Sequence, residues 1–402
     1  ISWLNNNKGF QLDGRNIDVK AKAVHARGGF RYLQPANDEP WLGILAGIST
    51  DDGSQAWRYF PENLMGKDLV DYLSGAIQGG EADNATLVYG GNPQLFPYKH
   101  NEGQFEVLVP LRNAKFAFQP DWPALTNLDI ELDFINDGLW MKTDGVNLGG
   151  VRASNLTAVI PDYSKEKLLI DADIKGPGKA VGPYFDETPL KDSLGATLQE
   201  LQLDGDVNAR LHLDIPLNGE LVTAKGEVTL RNNSLFIKPL DSTLKNLSGK
   251  FSFINSDLQS EPLTASWFNQ PLNVDFSTKE GAKAYQVAVN LNGNWQPAKT
   301  GVLPEAVNEA LSGSVAWDGK VGIDLPYHAG ATYNVELNGD LKNVSSHLPS
   351  PLAKPAGEPL AVNVKVDGNL NSFELTGQAG ADNHSNSRWL LGQKLTLDRA
   401  IW

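Results

Sequence analysis

Ser242-Thr243-Leu244-Lys245 and Lys299-Thr300-Gly301 spell SxxK and KTG, the patterns of serine enzymes in which a lysine helps a serine attack a carbonyl. The two lie too close together, no SDN separates them, and the serine opens no evident helix, so they read as chance matches. Asp204-Gly205-Asp206-Val207-Asn208 has the opening spacing of a calcium loop. Ala209 replaces its glycine and Ile215 its bidentate glutamate, which leaves a hairpin turn as the expectation. The histidines at 25, 100, 212, 328, 347 and 384 form neither HExxH nor an i,i+4 pair, and His212 falls on the polar phase of its strand. Asp171 and Asp173 share one strand face and could serve acid–base work on a glycan, but such a pair reads more simply as the wet side of a half-buried strand. The ten tryptophans invite a sugar-stacking role; most sit at strand ends and turns, where packing is expected instead. Asn84-Ala85-Thr86 matters only in a eukaryotic secretory setting. With no cysteine there is no thiolate chemistry and no Cys-built zinc or iron–sulfur site. The expectation is a chain that binds or scaffolds without catalysis, metal or cofactor.

The bulk of the sequence points the same way. Its 402 residues carry 48 acidic against 34 basic side chains, a net charge of −14, with no basic stripe to meet a phosphate backbone. Nucleic acid is excluded as an expected partner. The longest apolar stretch, Trp41 to Ile48, is far below the roughly 20 residues that cross a bilayer as a helix. The chain opens at Ile1 without a leader pattern and runs out of a strand-like pattern at Trp402, so it reads as a piece of something longer.

Self-similarity supplies the organisation. Aligned without gaps at a spacing of 119, residues 109–139 and 228–258 are identical at 12 of 31 positions, against about two expected from composition. The pairs include Val109/Val228, Arg112/Arg231, Asn113/Asn232, Pro120/Pro239, Phe134/Phe253 and Asn136/Asn255. Three strands alternate alike before the same break: Leu42/Ile44/Ala46/Ile48, Leu168/Ile170/Ala172/Ile174 and Tyr285/Val287/Val289/Leu291. Each leads into a segment with helical spacing: Leu69, Leu73 and Ile77; Leu190, Leu194, Leu198 and Leu201; and Val307 and Leu311 after Pro304 in a first turn. A tripeptide with central proline follows each: Phe96-Pro97-Tyr98, Ile215-Pro216-Leu217, Leu325-Pro326-Tyr327. The division is 1–58 as the end of a preceding repeat, 59–178 and 179–297 as repeats with a leading helix, and 298–402 as a truncated one.

Elsewhere the period is two, so each strand has one dry and one wet face. The dry phase comprises Val107, Val109, Phe116, Phe118, Ile130, Leu132, Phe134, Leu168 and Ile170 in one repeat. It continues through Leu211, Leu213, Ile215, Val228, Leu230, Phe251, Phe253, Val274, Phe276, Val287, Val289 and Leu291, and then Val362, Val364 and Val366. Asn136-Asp137-Gly138, Asn218-Gly219 and Asp367-Gly368 mark turns between runs. No long linker separates the repeats, and the Pro-rich stretch Leu348 to Pro359 reads as a crossing loop within the last of them. The predicted fold is mostly β: an elongated, curled antiparallel sheet of tandem repeats forming an open apolar groove, with short helices between repeats. About 20 strands near 4.8 Å apart would make a rod on the order of 100 Å long. A passive spacer or adhesin with a self-filled core is the alternative.

Tyr59-Phe60-Pro61, WPALTNLDIELDFIN at 122–136, IDADIKGPG at 170–178, TPLKDSLG at 188–195 and ASWFNQPLNVDFSTK at 265–279 together resemble the AsmA-like family. The resemblance covers the whole chain and rests on cumulative likeness. It implies a repeating β-groove of the bridge-like lipid-transfer type in a Gram-negative cell envelope. The full-length protein would be held in the inner membrane by an amino-terminal helix, cross the periplasm, and meet the outer membrane or its proteins at the far end. The dry-phase residues would then line a trough for phospholipid acyl chains.

Overall fold

The computed structural model describes residues 1–350, 352–392 and 396–401, with the side chains of Ser193 and Pro239 excepted. Trp402, where the strand-like pattern was followed to its end, and Pro351 within the Pro-rich stretch lie outside the described residues. Strands dominate, and among the described residues 24 of them belong to one hydrogen-bonded sheet, with neighbours such as Ser2–Asn6 and Gly9–Lys20, Gly138–Leu148 and Val151–Ile160, Val151–Ile160 and Lys167–Pro177, Gln270–Glu280 and Ala284–Trp295, and Thr332–Asp340 and Ala361–Asn369 paired antiparallel. Among the described residues no helix is long and apolar enough to cross a membrane.

Compact packing divides the chain into two units, one of residues 1–175 with 210–225 and the other of 176–209 with 226–402. The first holds β1 (Ser2–Asn6), β2 (Gly9–Lys20), β3 (His25–Pro35), β4 (Trp41–Thr50) and β5 (Ile77–Gly91). It continues with β6 (Gln104–Phe116), β7 (Leu125–Ile135), β8 (Gly138–Leu148), β9 (Val151–Ile160) and most of β10 (Lys167–Pro177). Two helices, α1 (Glu62–Met65) and α2 (Lys67–Ala76), lie between β4 and β5. Leu69, Val70, Leu73 and Ala76 recur three and four residues apart on the buried side of α2, and Lys67 pairs with Asp71 on the other. Ile77, expected on that helical face, instead caps the helix in extended backbone and opens β5. A β-branched residue followed by Gly79 and Gly80 favours that exchange.

The second unit begins with α3 (Val181–Asp186) and α4 (Ala196–Glu200), then β11 (Leu201–Asp204), β12 (Asp206–Pro216), shared with the first, and β13 (Thr223–Ile237). After these come β14 (Ser242–Ile254), β15 (Asp257–Ser260), β16 (Leu263–Trp267), β17 (Gln270–Glu280) and β18 (Ala284–Trp295). Then follow α5 (Glu305–Ala310), β19 (Leu311–Gly313), β20 (Val315–Pro326), β21 (Thr332–Asp340) and β22 (Val344–Ser346). Last come β23 (Ala361–Asn369), β24 (Ser372–Ala379), β25 (Asn383–Leu390) and β26 (Thr396–Ile401). The helix read from Leu190 to Leu201 is broken into a π turn at Lys191–Gly195 and the short α4, with Leu201 already in a strand. Pro189 has no amide to donate, and the Gly195 N–H reaches back to Leu190 O at 3.0 Å. Pro304 sits at the N-cap of α5, one position before its first turn.

Asparagines bend these strands. Asn16, Asn113, Asn127, Asn155, Asn232 and Asn246 all hold φ between 49° and 54°. Pairing register slips across Asn16, Asn113, Asn155 and Asn246. Asparagine tolerates the left-handed region better than other side chains, so the bulge falls where it stands.

Candidate functional site

Register places the dry-phase residues opposite one another across successive strands. In the second unit Phe276 faces Val289, Val289 faces Val321, Val321 faces Val335, Val335 faces Val366 and Val366 faces Leu375. A parallel row one step along runs Val274, Leu291, Gly319, Leu337, Val364, Gly377. Six strands at about 4.8 Å make each row about 24 Å long, with no charged side chain in it. The intervening residues form ladders on the opposite face. Asn273 donates to Asn292 (3.0 Å), Asn338 to Asp318 (3.3 Å) and Asn363 to Asn338 (2.7 Å), while Lys365 pairs with Glu336 at 3.4 Å. Alternation therefore sorts one sheet into a greasy side and a hydrated side.

In this unit the greasy side is only partly covered. Leu230, Val274 and Val287 are buried, whereas Val228, Phe251, Phe253, Phe276, Val289, Leu291, Val362, Val364 and Val366 are half-buried. Phe251 and Phe276 meet at 5.6 Å between ring centres. α5 buries none of its residues. One end of the strands carries an aromatic group that the sequence suggested only as tryptophans at strand ends: Trp267 against Trp295 at 6.2 Å, and Trp295 against Trp317 at 4.7 Å. Trp267 Nε1 donates to Ser242 Oγ and Trp295 Nε1 to Pro271 O, both at 2.7 Å. These indoles pack.

The first unit has rows of the same kind. Ile17, Gly28, Ala46, Leu87, Val107, Phe134, Leu139 and Ile160 face one another in turn, as do Val109, Leu132, Met141, Ala158 and Ile170. Here the greasy side has a tenant. Leu69 and Leu73 of α2, both 0% exposed, join one cluster with Phe116, Ile130, Leu132, Phe134, Leu168, Ile170 and Ile215. Val107, Val109, Phe118 and Leu213 pack against it, and Leu211 is half-buried. Phe60, just before α1, lies 6.0 Å from the Phe134 ring, and the Tyr72 hydroxyl donates to Phe118 O at 3.1 Å. Burial pushes the Tyr72 hydroxyl well above its ordinary pKa. Sequence spacing exposed one apolar face on α2; it carried no signal that this face lies on the sheet.

The chemistry-bearing residues stand apart. Ser242 and Lys245 lie on strand β14 three residues apart, hence on opposite faces, and Ser242 is held by an indole. Asp171 pairs with His212 Nδ1 at 2.8 Å, and Asp173 accepts from Asn155 at 2.9 Å with Arg210 3.9 Å away, all on the wet face. The hairpin expected at residues 204–208 is absent. Only Gly205 separates β11 from β12, too short for a two-strand reversal, and Asn233 spans the break by donating to both Asp204 O and Asp206 O at 3.1 Å. Among the described residues no three His, Asp or Glu side chains cluster to hold a metal.

A family model described as YhdP protein matches residues 1–402. The chain belongs to the YhdP family. The AsmA-like resemblance drawn from the blocks at 122–136 and 265–279 is thereby borne out. No solved structure matches the chain. Membership of the YhdP family accords with a cell-envelope protein.

Proposed function

We propose that this YhdP-family chain is a non-catalytic conduit segment that carries phospholipid acyl chains along its apolar face across the periplasm, between inner and outer membranes. The observation that carries the reading is the pair of apolar rows over β17, β18, β20, β21, β23 and β24, mostly half-buried, in a unit whose α5 buries none of its own residues. Each methylene taken from water onto such a surface gains about 0.8 kcal/mol, so the tails are held while the charged head stays hydrated. Neighbouring positions of similar character let a tail shift from one to the next without a local energy source. The carboxylates at 171 and 173 are already engaged with His212, Asn155 and Arg210, which supports a non-enzymatic role.

A second reading, a β-repeat spacer that fills its own core, is favoured by the first unit, whose face is occupied by α1 and α2. Native mass spectrometry of the purified chain separates the two. Co-purified phospholipid is expected, and Phe276→Asp with Val289→Asp is expected to abolish it while Lys365→Asp on the wet face leaves it intact. No lipid in the wild type, or lipid indifferent to the paired substitution, removes the conduit reading in favour of the spacer.

A further inference from the structure

The two units present the same kind of face in two conditions, half-buried in one and filled by the chain itself in the other. We propose that α1 and α2 form a displaceable plug, which closes the acyl-chain path over the first unit and leaves it when a lipid tail takes its place. The inference rests on the conduit reading and adds its regulation.

Three features of the segment support a plug over a fixed structural helix. Its hold on the sheet is mostly apolar: Met65, Leu69 and Leu73 share one buried cluster with Ile130, Leu132 and Leu168, an environment of the same nonpolar type that a hydrocarbon tail would seek. Side-chain anchoring is slight, for the Tyr72 hydroxyl on Phe118 O is joined chiefly by the backbone bond from Ala117 N to Ala76 O at 2.8 Å. The helices are also poorly finished. Neither α1 nor α2 has a side-chain cap at its N-terminus, ten residues is below the length at which an isolated helix holds, and Gly66 at φ 82° joins the two. A Cβ added at Gly66 would meet open space, so the joint between the two helices is free to change. The polar side of α2, with Lys67, Asp68 and Asp71, already faces solvent and loses nothing on departure.

Photolabelling tests this. The chain is mixed with phosphatidylethanolamine–phosphatidylglycerol vesicles containing a phospholipid with a diazirine in its acyl chain, irradiated, and the adducts are mapped to peptides. In the wild type, labelling is expected on β17, β18, β20 and β21 and only weakly on β7 and β8, where a tail must first displace the plug. Leu69→Asp with Leu73→Asp expels the plug and raises labelling of β7 and β8 several-fold. A second variant with residues 62–76 replaced by a glycine–serine linker should do the same, and decides the matter if the paired aspartates disturb folding. Labelling of β7 and β8 as heavy as that of β18 in the wild type overturns the plug. So does the absence of any gain in both variants while β18 remains labelled. No adduct on any strand overturns the conduit reading itself.

Discussion

Asn113 and Asn232, 119 residues apart, hold the same left-handed backbone at φ 50° and 54°. The amide of each is bound by the side chain sixteen residues on, Asp129 Oδ1 at 3.1 Å and Ser248 Oγ at 2.9 Å. The duplication seen as matching letters is therefore a duplicated strand bend. Alanine at either position must adopt a conformation that costs roughly 1–2 kcal/mol, whereas glycine adopts it freely. Asn113→Gly and Asn232→Gly should unfold in urea within a few tenths of a kcal/mol of wild type, with the alanine variants about 1 kcal/mol below them.

Filled and unfilled faces respond differently to truncation. Leu73→Ala opens a hole in the cluster of the first unit and should lower stability by about 2–5 kcal/mol in urea titrations. Val289→Ala removes a half-buried side chain and should cost about 1 kcal/mol.

Strand alternation was legible because its period is short and local: the dry phase of 285–291 and 362–366 appears in β18 and β23 as read. The rows that join those strands depend on register. Register is set by bulges at asparagines that look like ordinary turn residues in the sequence. The plug was half legible. Leu69 and Leu73 declared an apolar face, but its partner strands, β7 and β8, come more than 50 residues later, and no local pattern names them. Where a local cue was misplaced, a neighbour decided: Ile77 went to the strand, and Asn233 latched the break that resembled a turn at Gly205.

Tyr285 is fully buried, and its hydroxyl donates to Ser256 O at 2.6 Å with Thr278 Oγ1 2.8 Å away. Tyr285→Phe removes one of the two donors to Ser256 O, the Thr278 hydroxyl remaining at 3.0 Å, and should cost about 0.5–1.5 kcal/mol at neutral pH. Burial raises the pKa of this phenol to about 12, from 10.0. The unfolded chain therefore ionises first, and stability falls as pH rises from 10.0 toward about 12. The phenylalanine variant should show a shallower decline over that range by circular dichroism.

Asp133 carries a carboxyl held above its ordinary value, first by burial and then by the nearby carboxylates of Glu106 and Glu131. Its ionised form opposes folding at neutral pH, and the penalty fades as pH falls toward 3.8, where the unfolded group also takes up its proton. Asp133→Asn should raise the melting temperature at pH 7, with the gain shrinking toward pH 4 in calorimetric scans.

Because each row takes one side chain from each strand, neighbours in space are distant in the chain, and the antiparallel order sets a rule for how such a protein changes size. Losing or gaining a whole hairpin alters the oily track by about 10 Å and leaves every remaining side chain in phase. Losing one residue inside a strand turns its outer half over and sets an ionic step across the track. Length can thus drift in two-strand increments while single-residue changes are resisted, except at positions such as Asn113 and Asn155 where a bulge already absorbs one.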